Sequence, residues 1–242
     1  MIPRFLSERL WHEHLARASR AGRRSYLALV LLFLGLSAAA VLASTKQEQP
    51  KTSTQDSPKT SYAALLARVK KSDSTVDFKE LRLAYTETPE YHPYGGDRDT
   101  RQKMFASLQA KQFDQAVESA EKILATNFVE INAHFVAYVA NRELGHTDKA
   151  TFHKFMFDGL IKSINGSSDG LSPETAFVVI STDEEYVLFN FLGLRPAEQS
   201  LVNRNGHSFD RMTANNPKTN ETVVYFFNID KPFNWLGQSL KQ

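Results

Sequence analysis

The sequence predicts an α+β fold: helical hairpins of tetratricopeptide type, then a small antiparallel sheet with one packed helix, all behind a single N-terminal transmembrane helix. Three observations predict it. An uncharged run, Ser25 to Ser44, follows a cluster of arginines. Amphipathic helical stripes recur, with Ala116 and Ala150 thirty-four residues apart. Late in the chain an Asn205-Gly206 pair lies between "QSLVNR" and "HSFDRM", a hairpin signal.

Positions 1–24 form a basic N-region, with Arg4, Arg9, Arg17, Arg20, Arg23 and Arg24 against Glu8 and Glu13. Ile2, Phe5, Leu6, Leu10, Trp11 and Leu15 recur there at helical spacing. This reads either as a basic amphipathic helix on the inner leaflet or as a leader whose periodicity is accidental. "SYLALVLLFLGLSAAAVLAS", 25–44, is about long enough to cross a ~30 Å hydrocarbon layer as a helix. Only Lys46, Lys51 and Lys59 follow within a comparable distance, so the charge asymmetry puts the N-terminus in the cytoplasm. The membrane is thus the expected partner of Ser25 to Ser44, and the remainder faces the periplasm or exterior. The long N-region favours an uncleaved signal anchor. Ala43, with Val41 two places before it, suits cleavage before Ser44, which makes a removed signal peptide the alternative. Positions 45–61, "TKQEQPKTSTQDSPKTS", are polar and proline-containing and read as a flexible linker.

The composition excludes several functions. A formal net charge of +2 over 242 residues gives no global field for nucleic acid. The absence of cysteine removes disulfides, iron–sulfur clusters, thiolate zinc sites, a cysteine nucleophile and a lipid-bearing cysteine. No G-x-S-x-G elbow, P-loop, Rossmann glycine set or HExxH occurs, and no cofactor is expected.

The helical region spans 62–165. "YAALLARVKKSD" places Leu65, Leu66 and Val69 on one side of a short helix. Asp77 is positioned to cap a second, with Phe78, Leu81 and Tyr85 along one face. Thr88 to Asp97 holds two prolines and two glycines and is a loop. "KQFDQAVESAEKIL", "INAHFVAYVANRELGH" and "GHTDKATFHKFMFDGL" then supply three helices, although the tryptophan and inter-repeat proline usual in tetratricopeptide units are missing.

Positions 166–242 are mixed and belong to the same globular domain. Phe177 to Ile180 is a brief β-like run. "STDEEYVLFNFLGL" reads as a buried helix, with a capping box between Ser181 or Thr182 and Glu184 or Glu185, and Gly193 as its stop. "QSLVNR" and "HSFDRM" flank the Asn205-Gly206 turn, and Thr222 to Asp230 gives a third strand.

Together, "VDFKELRLAY", "YHPYG", "INAHFVAYVANRELG", "DGLSPETAFVVISTDEEY", "QSLVNRNGHSFDRM" and "YFFNID" resemble a bacterial family known as domain-of-unknown-function family 4919. The resemblance covers about Tyr62 to Asp230. It implies a shared domain and an export signal in many relatives, and it carries over no catalytic residue.

Six residues are candidates for chemistry. His207 and Asp210 lie three apart on an expected strand, so they face opposite ways and cannot pair with each other; surface or turn roles are the plainer reading. His134 and His153 flank the apolar stripes of neighbouring helices, where the imidazoles can meet as metal ligands or as seam residues. Glu184 and Glu185 are a carboxylate pair suited to acid–base work, or first-turn residues explained by capping and the helix dipole. Asp169, in "SSDG", is ordinary turn chemistry. Tyr91, His92 and Tyr94 either line a groove or pin their loop. Helix pairs build concave surfaces, so the functional expectation is a membrane-tethered module for a protein or peptide partner. An envelope hydrolase or metal-dependent enzyme is the alternative.

Overall fold

The computed structural model describes residues 61–240 apart from positions 95 and 167. The expected basic region, membrane anchor and nearly all of the linker lie outside these residues. Among the described residues, no helix is long and apolar enough to cross a membrane.

Six helices come first: α1 Tyr62–Val69, α2 Phe78–Tyr85, α3 Arg98–Gln109, α4 Phe113–Thr126, α5 Ile131–Glu143 and α6 Thr147–Asn165. Ser61 caps α1 by accepting from the Ala64 N–H, and Asp77 caps α2 by accepting from Lys79 and Glu80. From α3 to α6 each helix packs on the one before it across a connection of three or four residues. The stripe on α4 is buried through Ala116, Ala120, Ile123 and Leu124. Helix α5 buries ten of its thirteen residues, which makes it the central element of the helical half. Helix α2 crosses α6 where Gly159 leaves room for a ring. A Cβ there would stand 2.4 Å from Phe78, which stacks edge-on against Phe155 at 5.4 Å.

A short 3₁₀ turn, Pro173–Thr175, leads into β1 (Phe177–Val178), α7 (Thr182–Leu192), β2 (Arg195–Arg204), β3 (His207–Asn215), β4 (Thr222–Asn228) and α8 (Asp230–Ser239). Asn205 and Gly206 have φ of 53° and 78°, the pair of positive values that a two-residue hairpin turn needs. The strand order is β1-β4-β3-β2, and β1 runs parallel to β4. The sheet is therefore mixed, not antiparallel as the pattern predicts. The reason is the helix: crossing over through α7 returns the chain in the original direction, so β2 and β4 both align with β1. Two helices meet this sheet instead of the single one expected, with α7 against β2 and α8 against β3.

Asp210, Met212, Tyr225 and Phe227 share the sheet face that α7 covers, where Phe189 stacks on Phe227 at 5.4 Å. One apolar core runs from Leu65 and Leu81 through Phe135 and Leu160 to Leu188 and Phe227, so the two halves share an interior. Among the described residues the protein is thus α+β, with eight α-helices and a four-stranded mixed sheet.

Candidate functional site

A wide opening lies where α1 faces the turn between α4 and α5. It is a groove of about 740 Å³, walled by Tyr62 and Leu66 of α1, Leu124 of α4, Phe128 of the turn and Phe152 of α6. Lys70, Glu90 and Glu121 stand at its rim, with the Lys70 ammonium 4.8 Å from the Phe128 ring centroid. Helix α6 also brings His153 to the groove lining.

His153 meets His134 of α5, Nδ1 to Nδ1, at 3.0 Å. His134 is completely buried, and its Nε2 is 2.9 Å from the carbonyl of Phe128. A carbonyl only accepts, so Nε2 carries the proton and the Nδ1 of His134 is the acceptor. His153 must then donate from Nδ1, which leaves the lone pair on its own Nε2. Burial pushes both imidazoles down, His134 to about 3 and His153 to about 4, with Lys149 adding to the fall at His153. The pair is neutral at ordinary pH. Both nitrogens of His134 are committed within the protein, so it has none to offer a metal. Among the described residues no cluster of three metal-ligating side chains exists.

Glu184 is occupied differently. Arg82 of α2, only 1% exposed, grips it with Nε at 2.9 Å and with Nη2, while the Ile180 N–H donates at 2.8 Å. The same guanidinium reaches Ser163 Oγ at 3.1 Å and the Val178 carbonyl at 3.0 Å. One cation thus fastens α2, α6, β1 and α7 together. The capping box expected here does not form. Ser181 makes no side-chain cap bond, and both glutamates turn inward from the first turn of α7.

Glu185 is fully buried, and neither of its oxygens has a donor among the described residues. Its neighbour is the carboxyl of Asp210 on β3, which also takes Gln199 Nε2 at 2.7 Å. Two acceptors can bond only if one is protonated. Burial raises the Glu185 carboxyl well above the usual range, and Asp210, Asp183 and Glu184 push the same way. Burial raises Asp210 as well, against the pull of Gln199. Burial and mutual repulsion thus favour the protonated form of Glu185 beside Asp210, between sheet and helix. The Tyr94 hydroxyl is pushed up to about 12 by burial and by these two carboxyls.

His207 is exposed at the start of β3 and finds a different aspartate from the one beside it in sequence: its Nδ1 is 2.6 Å from Asp230 Oδ2. Asp230 also accepts from the Ser208 N–H at 2.8 Å and from Asn228 at 3.1 Å. Partial burial works to raise this carboxyl, but these donors prevail and hold it below its ordinary value. Asp169 accepts from the Leu171 N–H and the Thr175 hydroxyl, a turn role. Tyr91 is buried and donates to the Ile180 carbonyl at 2.7 Å, while His92 and Tyr94 lie against Trp235 of α8. The loop is pinned at both ends.

The six candidates therefore occupy four separate places: the His134–His153 seam, the Arg82–Glu184 ion pair, the Glu185–Asp210 pair and the His207–Asp230 contact. Sequence reasoning missed Arg82, whose partner is 102 residues away. It also missed Arg101, whose guanidinium holds Asp183 and lies 3.7 Å from the buried Glu130 that caps α5.

Neither a curated protein nor a solved structure matches the chain. The family described as Domain of unknown function (DUF4919) matches residues 50–236, well over half of the sequence. The resemblance carried by the six motifs thus holds, and the chain belongs to the DUF4919 family.

Proposed function

We propose that this is a membrane-tethered envelope protein, anchored in the bacterial inner membrane by Ser25 to Ser44. Its helical hairpins, arranged in the manner of tetratricopeptide pairs, hold a partner polypeptide. The observation that carries this reading is the groove between α1 and the α4–α5 turn. Its Tyr62, Leu66, Phe128 and Phe152 walls suit an aromatic or long aliphatic anchor, and a rim bearing Lys70, Glu90 and Glu121 suits a peptide of mixed charge. The protein's own linker at 45–61 offers no side chain for such walls beyond its prolines. Tethering raises the local concentration of the module near partners in the same membrane.

A photo-cross-linking residue at Leu66 in the intact membrane protein tests the reading. A polypeptide cross-linked in the parent but lost on Phe128→Ala or Phe152→Glu supports it. Cross-linking that ignores both substitutions refutes it. The membrane placement has its own test. A reporter fused after Gln242 and active only in the cytoplasm rules the orientation out, and N-terminal sequencing of the mature chain separates anchor from cleaved signal.

The alternative of an envelope hydrolase or metal-dependent enzyme needs at least three of His134, His153, Glu184, Glu185 and His207 at one open pocket. Among the described residues no such convergence occurs, so the binding reading takes priority.

A further inference from the structure

Strand β2 lies along the outer edge of the sheet, and nine of its ten residues are exposed. Its first half is guarded against strand pairing, because Pro196 and the irregularity between Pro196 and Glu198 break the edge. The stretch Glu198 to Arg204 has no proline, lysine or bulge, and its central Leu201 is 49% exposed. The hairpin fixes which amides this stretch displays. With a two-residue turn, Arg204 and His207 exchange ladder bonds, and so do Val202 with Phe209 and Ser200 with Arg211. The N–H and C=O groups of Gln199, Leu201 and Asn203 therefore point away from β3 into open solvent. The register of β3 agrees, since the alternate residue Ser208 accepts from the Ile229 N–H beyond β4 at 3.0 Å.

We propose that this edge pairs antiparallel with the same edge of a second copy of the chain, about a two-fold axis at Leu201, so that one sheet continues into the next. Outward-pointing residues must oppose outward-pointing residues. Centring the axis on Leu201 sets Leu201 against Leu201 and Gln199 against Asn203 twice, for about six backbone hydrogen bonds. Centring it on Gln199 runs into the bulge, and centring it on Asn203 runs into the turn. The same register sets Glu198 opposite the partner's Arg204 at two symmetric points on the face away from α7, a charge match that favours this alignment. Arg204 also reaches Glu174 of its own copy at 3.0 Å, an exposed ion pair that the partner's Glu198 would join or replace.

The chain has no cysteine, so a single introduced thiol reports only contacts between molecules. In the intact protein in detergent, Leu201→Cys is expected to form a disulfide or short bismaleimide dimer far faster than Lys218→Cys in the β3–β4 loop. Leu201→Pro removes only an outward N–H and is expected to give a monomer with unchanged circular dichroism. Glu198→Arg opposes two arginines at each symmetric point and is expected to raise the dimer dissociation constant by several-fold to about thirtyfold. Adding Arg204→Glu to it restores pairing. The proposal is overturned by a parent chain that sediments as a monomer, by equal cross-linking at 201 and 218, or by a dimer indifferent to Glu198→Arg. A Leu201→Cys thiol that captures a different protein also overturns it and assigns the edge to a foreign strand.

Discussion

Arg82 and Glu185 show opposite ways of putting charge inside this protein. The Arg82 guanidinium has four acceptors, and Glu184 has it as counter-ion, so each charge is compensated where it is buried. Removing one member strands the other. Arg82→Met is expected to cost about 3–5 kcal/mol in urea unfolding, and Arg82→Met with Glu184→Gln to recover most of that loss. Equal stability of the single and double variants would refute the assignment. Glu185 has no cation, and burial favours its protonated form instead. Its folded-state pKa lies above the unfolded one, so its contribution is complete below the usual glutamate range and is lost as pH climbs through the folded value. The unfolding free energy should therefore decline as pH rises beyond the usual glutamate range. Glu185→Gln keeps a donor for Asp210 without an ionisable proton, and it should flatten that decline.

Helices α5 and α6 are joined by the histidine seam, and the sign there is reversed. Folded values near 3 and 4 lie below the usual value of about 6.5. This stabilisation is whole above that usual value and is lost as pH falls from it toward the folded values. His134→Gln still offers a donor to the Phe128 carbonyl, and is expected to cut the steepness of the acid limb by about one proton in urea titrations followed against pH. An unchanged slope would remove His134 from the acid response.

Elements whose buried positions are apolar were legible in the sequence, and those with polar buried faces were not. The α4 stripe of alanine, isoleucine and leucine announces itself. Helix α3 buries Thr100 and Ser107 beside Met104 and Leu108, which dilutes the helical period until no stripe stands out. Helix α8 carries Pro232 and Gly237, which read as breakers. The glutamates of α7 imitate a capping box because local spacing says nothing of a distant arginine. The parallel pairing of β1 with β4 is likewise invisible to a local pattern, whereas the Asn205-Gly206 turn is determined by its own two residues.

At the scale of the whole molecule, the boundary drawn at 165/166 is one of composition and not of folding. Arg82 crosses it to Glu184 and Val178, Tyr91 crosses it to Ile180, and the apolar core is continuous. Helices and sheet should therefore melt as one unit. Trp235 reports on the sheet end and far-ultraviolet circular dichroism on the helices. In a Trp11→Phe background the two signals are expected to share a single urea midpoint, and separated midpoints would divide the domain.

The Arg82 clasp also bears on the order of events during synthesis. Its cation leaves the ribosome 102 residues ahead of the carboxylate that will neutralise it, so α2 spends that interval with a hydrated guanidinium it cannot yet bury. Where the clasp closes after the folding transition state, Arg82→Met raises the unfolding rate far more than it lowers the folding rate. The finished domain would then owe its longevity less to fast assembly than to slow escape.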